Sequence, residues 1–205
     1  MPAPTFLALG DSYTIGEGVP ENGRWPVQLV ARLHATHVEL QAPRIIATTG
    51  WTTDELSAAM DEAGLHAGYG LVTLLIGVNN QYRGRASAEY REQFLALLER
   101  AIALAGDARR VIVVSIPDWG VTRFAEGRDR AAIADAIDAF NAIARDEAQR
   151  AFARWVDITG ISRTAGAADA MLVDDGLHPS AAQYARWVEA ILPQAEAALK
   201  EQKRS

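Results

Sequence analysis

The sequence predicts an α/β protein in which a mostly parallel sheet of five strands lies between two layers of helices. Five short apolar segments alternate with segments of helical periodicity along its 205 residues. Strands that are joined by helix-length crossovers pair in parallel, with helices on both faces. The segment Leu71–Ile76 is apolar except for Thr73, as expected for a strand covered on both sides. No repeat or linker interrupts the alternation, so residues 1–205 are predicted to be one domain of three layers.

Three strands and two helices are predicted in the first half of the chain. The first strand ends at Gly10, and the second is a β-branched run that Gly50 stops. The first helix follows Pro26, a residue suited to a first helical turn, and Thr52 with Glu55 fits a capping box for the second. The strands are Thr5–Gly10, Ile45–Thr49 and Leu71–Ile76, and the helical stripes are Val27, Leu29, Val30 and Leu33, then Leu56, Ala59 and Met60.

The second half repeats this alternation. A helix is predicted from Ser87, a fourth strand at Val111–Ile116, a further helix, a short fifth strand at Trp155–Ile158 and a last helix from about Pro179. The helices are recognised by apolar residues that recur at helical spacing. These residues are Tyr90, Phe94, Leu97, Leu98, Ala101 and Ile102, then Ile133, Ile137, Phe140 and Ala144, and finally Tyr184, Val188, Ile191, Leu192, Ala195 and Leu199.

Composition excludes several classes of function. The net charge of −6 and the lack of a basic stripe argue against a nucleic-acid partner. No apolar run approaches the ~20 residues of a membrane span, and the first residues lack the basic and apolar regions of a signal peptide. With no cysteine, disulfides and thiolate ligands are excluded. We therefore expect a cytoplasmic protein without a membrane partner, although a secreted chain trimmed of its leader would look the same. Oligomeric state is left open.

Polar residues follow the predicted strands where a ligand would bind, because open α/β sheets bind ligands beyond the carboxyl ends of their strands. The segments are Gly10–Gly18, Thr49–Thr52 and Gly77–Asn80, together with Asp175–Pro179 before the last helix. Each of them alone could be an ordinary turn or helix start. Together they contain what acyl transfer requires.

A serine hydroxyl becomes a nucleophile when a positioned base takes its proton, and a neutral imidazole suits that task. Ser12 and His178 are the candidates, and Asp175, three residues before the histidine, can hold the imidazole in one tautomer. The tetrahedral intermediate also needs hydrogen-bond donors for its oxyanion. The amides of Ser12 and Gly50 and the side chain of Asn79 could converge there, since their strand ends should be neighbours.

These four blocks resemble those of the SGNH (GDSL) hydrolase superfamily, which centre on Ser, Gly, Asn and His. The resemblance implies a flavodoxin-like αβα sandwich, the catalytic residues Ser12, Asp175 and His178, and an oxyanion hole of Ser12, Gly50 and Asn79. It implies hydrolysis of a small-molecule carboxylic ester without a cofactor. Two residues depart from the family pattern: Tyr13 replaces Leu, which we expect to be harmless, and Asn80 replaces Asp, which leaves any anionic bracing role in doubt.

Other polar residues fit the chemistry less well. His34 and His37 end the first helix and His66 precedes the third strand, so all three should lie away from the carboxyl edge. Asp174 is an alternative to Asp175 as the acid of the triad, but the spacing of three residues to His178 favours Asp175. Asp11 is expected to brace its turn by accepting amide protons.

The walls of the site are predicted from the aromatic residues of the carboxyl-end loops. Trp51, Tyr82, Trp119 and Phe124 either line an acyl or alcohol site or pack their loops onto the sheet. The loop Pro117–Asp129 mixes aromatic and charged residues, which indicates a partly open cleft. Short-chain esters, acetylated sugars among them, are the expected substrates. No group of His, Asp or Glu has the spacing of a metal site.

Two other functions compete with the esterase. An acyltransferase would use the same triad with a sugar or alcohol acceptor, and the sequence does not separate the two reactions. A non-catalytic ligand-binding domain of the same fold is disfavoured. The segment Gly10–Gly18 contains neither of the two common phosphate-binding patterns, Gly-x-Gly-x-x-Gly and a loop that ends in Gly-Lys-Ser/Thr. Such a domain would also have little use for the complete set of polar blocks.

Overall fold

A five-stranded, entirely parallel sheet forms the middle layer of the structure, a computed structural model that describes residues 2–202. The strand order is β2-β1-β3-β4-β5, so the first strand lies between the second and the third. This confirms the predicted α/β fold with a parallel sheet. The strands are β1 (Phe6–Gly10), β2 (Pro43–Ala47), β3 (Leu71–Leu75), β4 (Val111–Val114) and β5 (Arg154–Val156).

Helices cover both faces of the sheet. α2 packs against α8 in one layer, while α5 packs between α3 and α6 in the other layer. Their apolar stripes meet the sheet in a continuous core that includes the fully buried Trp25, Tyr90 and Trp187. The helices are α1 (Ser12–Ile15), α2 (Trp25–Ala35), α3 (Thr53–Glu62), α4 (Val78–Tyr82), α5 (Ser87–Ala105), α6 (Arg130–Arg150), α7 (Thr159–Ala165) and α8 (Ala181–Gln202).

The register of the three central strands brings their carboxyl ends level. Gly10 at the end of β1 is paired with Ala47 of β2 on one side and with Leu75 of β3 on the other. β1 and β3 are buried along their whole length. Because all three strands stop at one level, the segments that follow them open side by side at one edge of the sheet.

Several element bounds differ from those predicted. β2 begins and ends two residues early, because Thr48 to Trp51 form a turn in which the Trp51 amide donates to the Thr48 carbonyl at 3.3 Å. β5 ends at Val156 instead of at residue 158. The helices α1, α4 and α7 were not predicted. They have 4, 5 and 7 residues, too few for an apolar period to show.

Within residues 2–202, no helix is both long enough and apolar enough to cross a membrane.

Candidate active site

Ser12 is the first residue of α1 and follows a tight strand-to-helix turn. A Cβ atom at Gly10 would lie 2.2 Å from the Thr14 hydroxyl and 2.6 Å from the Leu75 carbonyl, so the turn accepts only glycine. Asp11 caps the helix by accepting the Tyr13 amide at 3.0 Å, as predicted for a bracing residue. Ser12 is 3% exposed and lines a cavity at the carboxyl edge of the sheet.

The carboxyl group beside Ser12 has an unusual protonation equilibrium. Burial raises the pKa of Asp11 to about 7, and the hydrogen bond from the Tyr13 amide only partly opposes this. Within residues 2–202, the second carboxylate oxygen of Asp11 has no hydrogen-bond partner. The side chain therefore changes charge near neutral pH.

His178 lies on a short hairpin before α8, held by the bond of the Val173 amide to its carbonyl at 2.9 Å. Oδ2 of Asp175 accepts a hydrogen bond from Nδ1 of His178 at 2.6 Å. The other oxygen, Oδ1, accepts the amides of Leu177 at 2.8 Å and His178 at 2.9 Å. One carboxylate thus orients both the loop and the ring.

Partial burial raises the pKa of Asp175, but the hydrogen bonds from the His178 ring and from the amides of His178 and Leu177 outweigh it and lower the pKa below its usual value. The carboxylate is therefore ionised at neutral pH and can only accept. The hydrogen of this bond consequently resides on Nδ1 of His178, and in the neutral ring the other nitrogen, Nε2, has a lone pair available as a base. The ring is almost buried, with 8% of the residue exposed, and faces the same cavity as Ser12.

Three of the residues that line this cavity carry N–H groups that could serve as donors. The Ser12 and Gly50 amides have no hydrogen-bond partner among the described residues. Gly50 has a positive φ of 90°, which favours glycine, and its carbonyl accepts Nη2 of Arg83 at 2.7 Å. Asn79 Nδ2 donates to the Trp51 carbonyl at 2.9 Å, which leaves its second N–H free for a ligand.

The next residue, Asn80, does not reach the cavity. Its side chain is fully buried, accepts the Thr53 amide at 3.1 Å and donates to the Thr53 hydroxyl at 2.7 Å. That hydroxyl donates in turn to Gln93. Asn80 therefore ties α4 to the first turn of α3 without an anionic charge.

Aromatic side chains form one wall of the cavity. Tyr82 and Trp119 meet edge to face with ring centroids 5.4 Å apart, and Phe124 lies 6.0 Å from Trp119. The indole N–H of Trp119 donates to Gln81 at 2.8 Å, which fixes the ring. The cavity has a volume of about 170 Å³. Its lining residues are Ser12, Tyr13, Thr49, Gly50, Val78, Asn79, Tyr82, Trp119, Phe124, Leu177 and His178.

Some of the candidate residues do not line this cavity. Trp51 was a candidate for its wall, but its side chain packs against the hydrophobic core and only its carbonyl reaches Asn79. Asp174 is exposed, without a hydrogen bond to the His178 ring among the described residues. None of the other three histidines, His34, His37 and His66, lines the cavity.

Other residues around the cavity were not anticipated. Tyr13 was expected to be a harmless replacement, yet its ring lines the cavity and lies 5.7 Å from the His178 ring. Gln81 in the short helix α4 accepts the indole N–H of Trp119. Arg83, the residue after that helix, donates to the Gly50 carbonyl. Only their sequence proximity to Asn79 could have pointed to them.

In the part of the chain that the structure describes, no three His, Cys, Asp or Glu side chains cluster as a metal site would require.

Comparison with known proteins places these residues in context. The sequence model of the GDSL-like Lipase/Acylhydrolase family matches residues 8–186. TesA is similar in structure, with a TM-score of 0.72, 21% identity, and coverage of 95% of this chain and 99% of TesA. The acetylxylan esterase Axe2 from Geobacillus stearothermophilus has a TM-score of 0.72 and 19% identity over 94% of each chain.

A third similar structure is that of phospholipase A1 from Streptomyces albidoflavus NA297. It has a TM-score of 0.69 and 19% identity over 96% of this chain and 100% of that one. At these identities the likeness is one of fold. No curated protein matches the sequence.

Proposed function

We propose that this chain, which belongs to the GDSL-like lipase/acylhydrolase family, hydrolyses carboxylic esters of short acyl chains through an acyl-enzyme intermediate on Ser12. The observation that carries the proposal is the hydrogen bond of 2.6 Å between Asp175 and His178, on a ring that faces the same cavity as Ser12. In a neutral ring that bond places the hydrogen on Nδ1, so that Nε2 has the lone pair that a general base needs.

The first half of the reaction forms the acyl-enzyme. Oγ of Ser12 attacks the ester carbonyl carbon while Nε2 of His178 takes the hydroxyl proton. Negative charge then develops on the carbonyl oxygen, where the amides of Ser12 and Gly50 and the free N–H of Asn79 can donate. Collapse of this intermediate breaks the bond to the alcohol oxygen, which leaves with the proton from His178.

The second half releases the acid. Water attacks the acyl carbon, His178 takes its proton and returns it to Oγ of Ser12, and the carboxylic acid leaves. Throughout both halves Asp175 stays ionised and stabilises the imidazolium that forms twice. The lowered pKa of Asp175 supports this role.

The size of the cavity supports a short acyl chain. Its volume of about 170 Å³ lies below the roughly 300–1,000 Å³ of sites that enclose drug-sized ligands. Tyr82 and Phe124 are 46% and 38% exposed, so the aromatic wall continues to the surface. Acyl groups from acetyl to about hexanoyl are therefore the proposed range. Acetylated sugars are one such class, and a structural neighbour is an acetylxylan esterase.

The test is kcat/KM across p-nitrophenyl esters of rising chain length, each below its aggregation limit. We expect a maximum at short chains and a steep fall beyond hexanoyl, because a longer chain has no enclosed space to fill. A maximum at long acyl chains would instead indicate a lipase or thioesterase.

A further inference from the structure

The aromatic wall of the cavity carries a cation. The guanidinium carbon of Arg128 lies 5.4 Å from the ring centre of Tyr82, 5.3 Å from that of Trp119 and 5.0 Å from that of Phe124. Nη2 of Arg128 also donates to the Tyr82 hydroxyl at 3.4 Å. Contact with three rings of the cavity wall holds the guanidinium next to the lining residues, although Arg128 does not itself line the cavity.

Arg128 has no carboxylate partner among the described residues, unlike two other arginines near the cavity. Arg83 pairs with Glu55 at 3.4 Å and Arg123 with Asp169 at 3.3 Å. None of the ion pairs among residues 2–202 includes Arg128. The nearby Asp129 uses its carboxylate to cap α6, accepting the Ala132 amide at 3.0 Å. The exposed guanidinium of Arg128 therefore has no ion-pair partner among the described residues.

We propose that Arg128 binds a carboxylate on the alcohol part of the ester, so that the enzyme prefers acyl esters whose alcohol carries one negative charge. This inference rests on the proposed function, because it places the short acyl chain inside the cavity next to Ser12. The alcohol part then extends over Tyr82 and Phe124, which are partly exposed, and reaches Arg128, whose guanidinium lies against both rings. A guanidinium matches a carboxylate with two parallel hydrogen bonds.

A carboxylate fits better than a phosphate monoester. The guanidinium of Arg128 carries one positive charge and balances one negative charge, whereas a phosphate monoester carries about two at neutral pH. The flanking aromatic rings would pack against an apolar or ring-shaped alcohol that carries the acid. An aromatic hydroxy acid esterified by a short acyl group has this chemistry.

The experiment compares two isosteric esters that differ in charge, 4-acetoxybenzoate and 4-acetoxybenzamide. Each is assayed with the wild type, Arg128→Gln, Arg128→Lys and the matched control Arg145→Gln. Arg145 is exposed on α6, does not line the cavity, and its replacement changes the net charge equally. The ratio of kcat/KM for the two esters removes their different intrinsic reactivities from the comparison between variants.

We expect Arg128→Gln to lower the benzoate-to-benzamide ratio by about 10-fold, as loss of a charge-assisted hydrogen-bonded pair would. Arg128→Lys should lower it less, because the charge remains without the fork. Arg145→Gln should leave the ratio at its wild-type value. Added salt should weaken the wild-type preference but have little effect in Arg128→Gln. An unchanged ratio, or an equal loss for both esters, would mean that Arg128 only braces the rings.

A binding measurement separates this inference from the proposed chemistry. The products 4-hydroxybenzoate and 4-hydroxybenzamide are titrated by NMR into Ser12→Ala, with and without Arg128→Gln. If the wild type does not hydrolyse the esters, but the acid binds more tightly than the amide and loses that advantage in Arg128→Gln, the anion site stands and the proposed esterase fails. If esters are hydrolysed while acid and amide bind alike, the esterase stands and the anion site is refuted.

Discussion

Replacing Asn79 and Asn80 in turn by alanine makes the same chemical change at adjacent positions with opposite expected consequences. Asn79 lines the cavity and has one N–H free after its bond of 2.9 Å to the Trp51 carbonyl. If that N–H binds the oxyanion, Asn79→Ala should cost about 2.7–4 kcal/mol of transition-state stabilisation, a fall of roughly 10²–10³-fold in kcat. KM should change little. The lost bond to Trp51 should lower the free energy of unfolding by only about 0.5–1.5 kcal/mol.

Asn80→Ala should lower the stability of the protein instead of its kcat. The substitution leaves the buried Thr53 amide without an acceptor, which costs about 1–3 kcal/mol. It also removes one of the two hydrogen bonds of the Thr53 hydroxyl, worth about 0.5–1.5 kcal/mol. Together these lower the free energy of unfolding by about 1.5–4.5 kcal/mol. Because Asn80 does not line the cavity, kcat per folded molecule should fall far less than in Asn79→Ala.

The two effects are measured by urea unfolding and by steady-state hydrolysis of p-nitrophenyl acetate, with activity corrected for the folded fraction. Asn80→Asp is a useful third variant, since it keeps the acceptor for the Thr53 amide and should recover part of the stability. Equal losses of kcat in both alanine variants would refute the assignment of Asn79 as the oxyanion donor. A stable but inactive Asn80→Ala would mean that Asn80, and not Asn79, is the oxyanion donor.

Further predictions concern Ser12, the acid and the residue before the nucleophile. Ser12→Ala should abolish ester hydrolysis without unfolding, and a fluorophosphonate adduct should map by mass spectrometry to the peptide that contains Ser12; an adduct elsewhere would contradict this. Asp175→Asn should lower kcat/KM by orders of magnitude and Asp174→Asn only slightly, because only Asp175 bonds to His178; the reverse order would move the acid by one residue. Asp11 has a pKa raised to about 7, against 3.8 for an ordinary aspartate. It therefore favours folding most below pH ~4, and that contribution is lost as pH rises towards 7. Urea unfolding should therefore show Asp11→Asn to be more stable than the wild type at pH 8, by up to about 4 kcal/mol. Near pH 4 the two proteins should be similarly stable. A destabilised variant at pH 8 would contradict the raised pKa.

Local patterns in the sequence were sufficient to predict the succession of strands and long helices along the chain. An unbroken apolar segment such as Leu71–Leu75 and the stripe of α5 reflect burial that neighbouring residues share, so they are visible without the fold. The pairing of Asp175 with His178 is also local, because a spacing of three residues lets the carboxylate reach the ring. From parallel strands it followed further that Ser12, Gly50 and Asn79 lie at one edge.

What surrounds those residues was decided only in three dimensions. Trp51 turns its ring to the core, Asn80 ties two helices together, and Arg128 rests on rings that include Tyr82, 46 residues away. These arrangements depend on packing between segments far apart in the chain, which leaves no periodic trace in either segment. The short helices that carry Ser12 and Asn79 were missed for a related reason. With fewer than two turns each, they are stabilised by a cap or by tertiary contacts and not by an apolar stripe of their own.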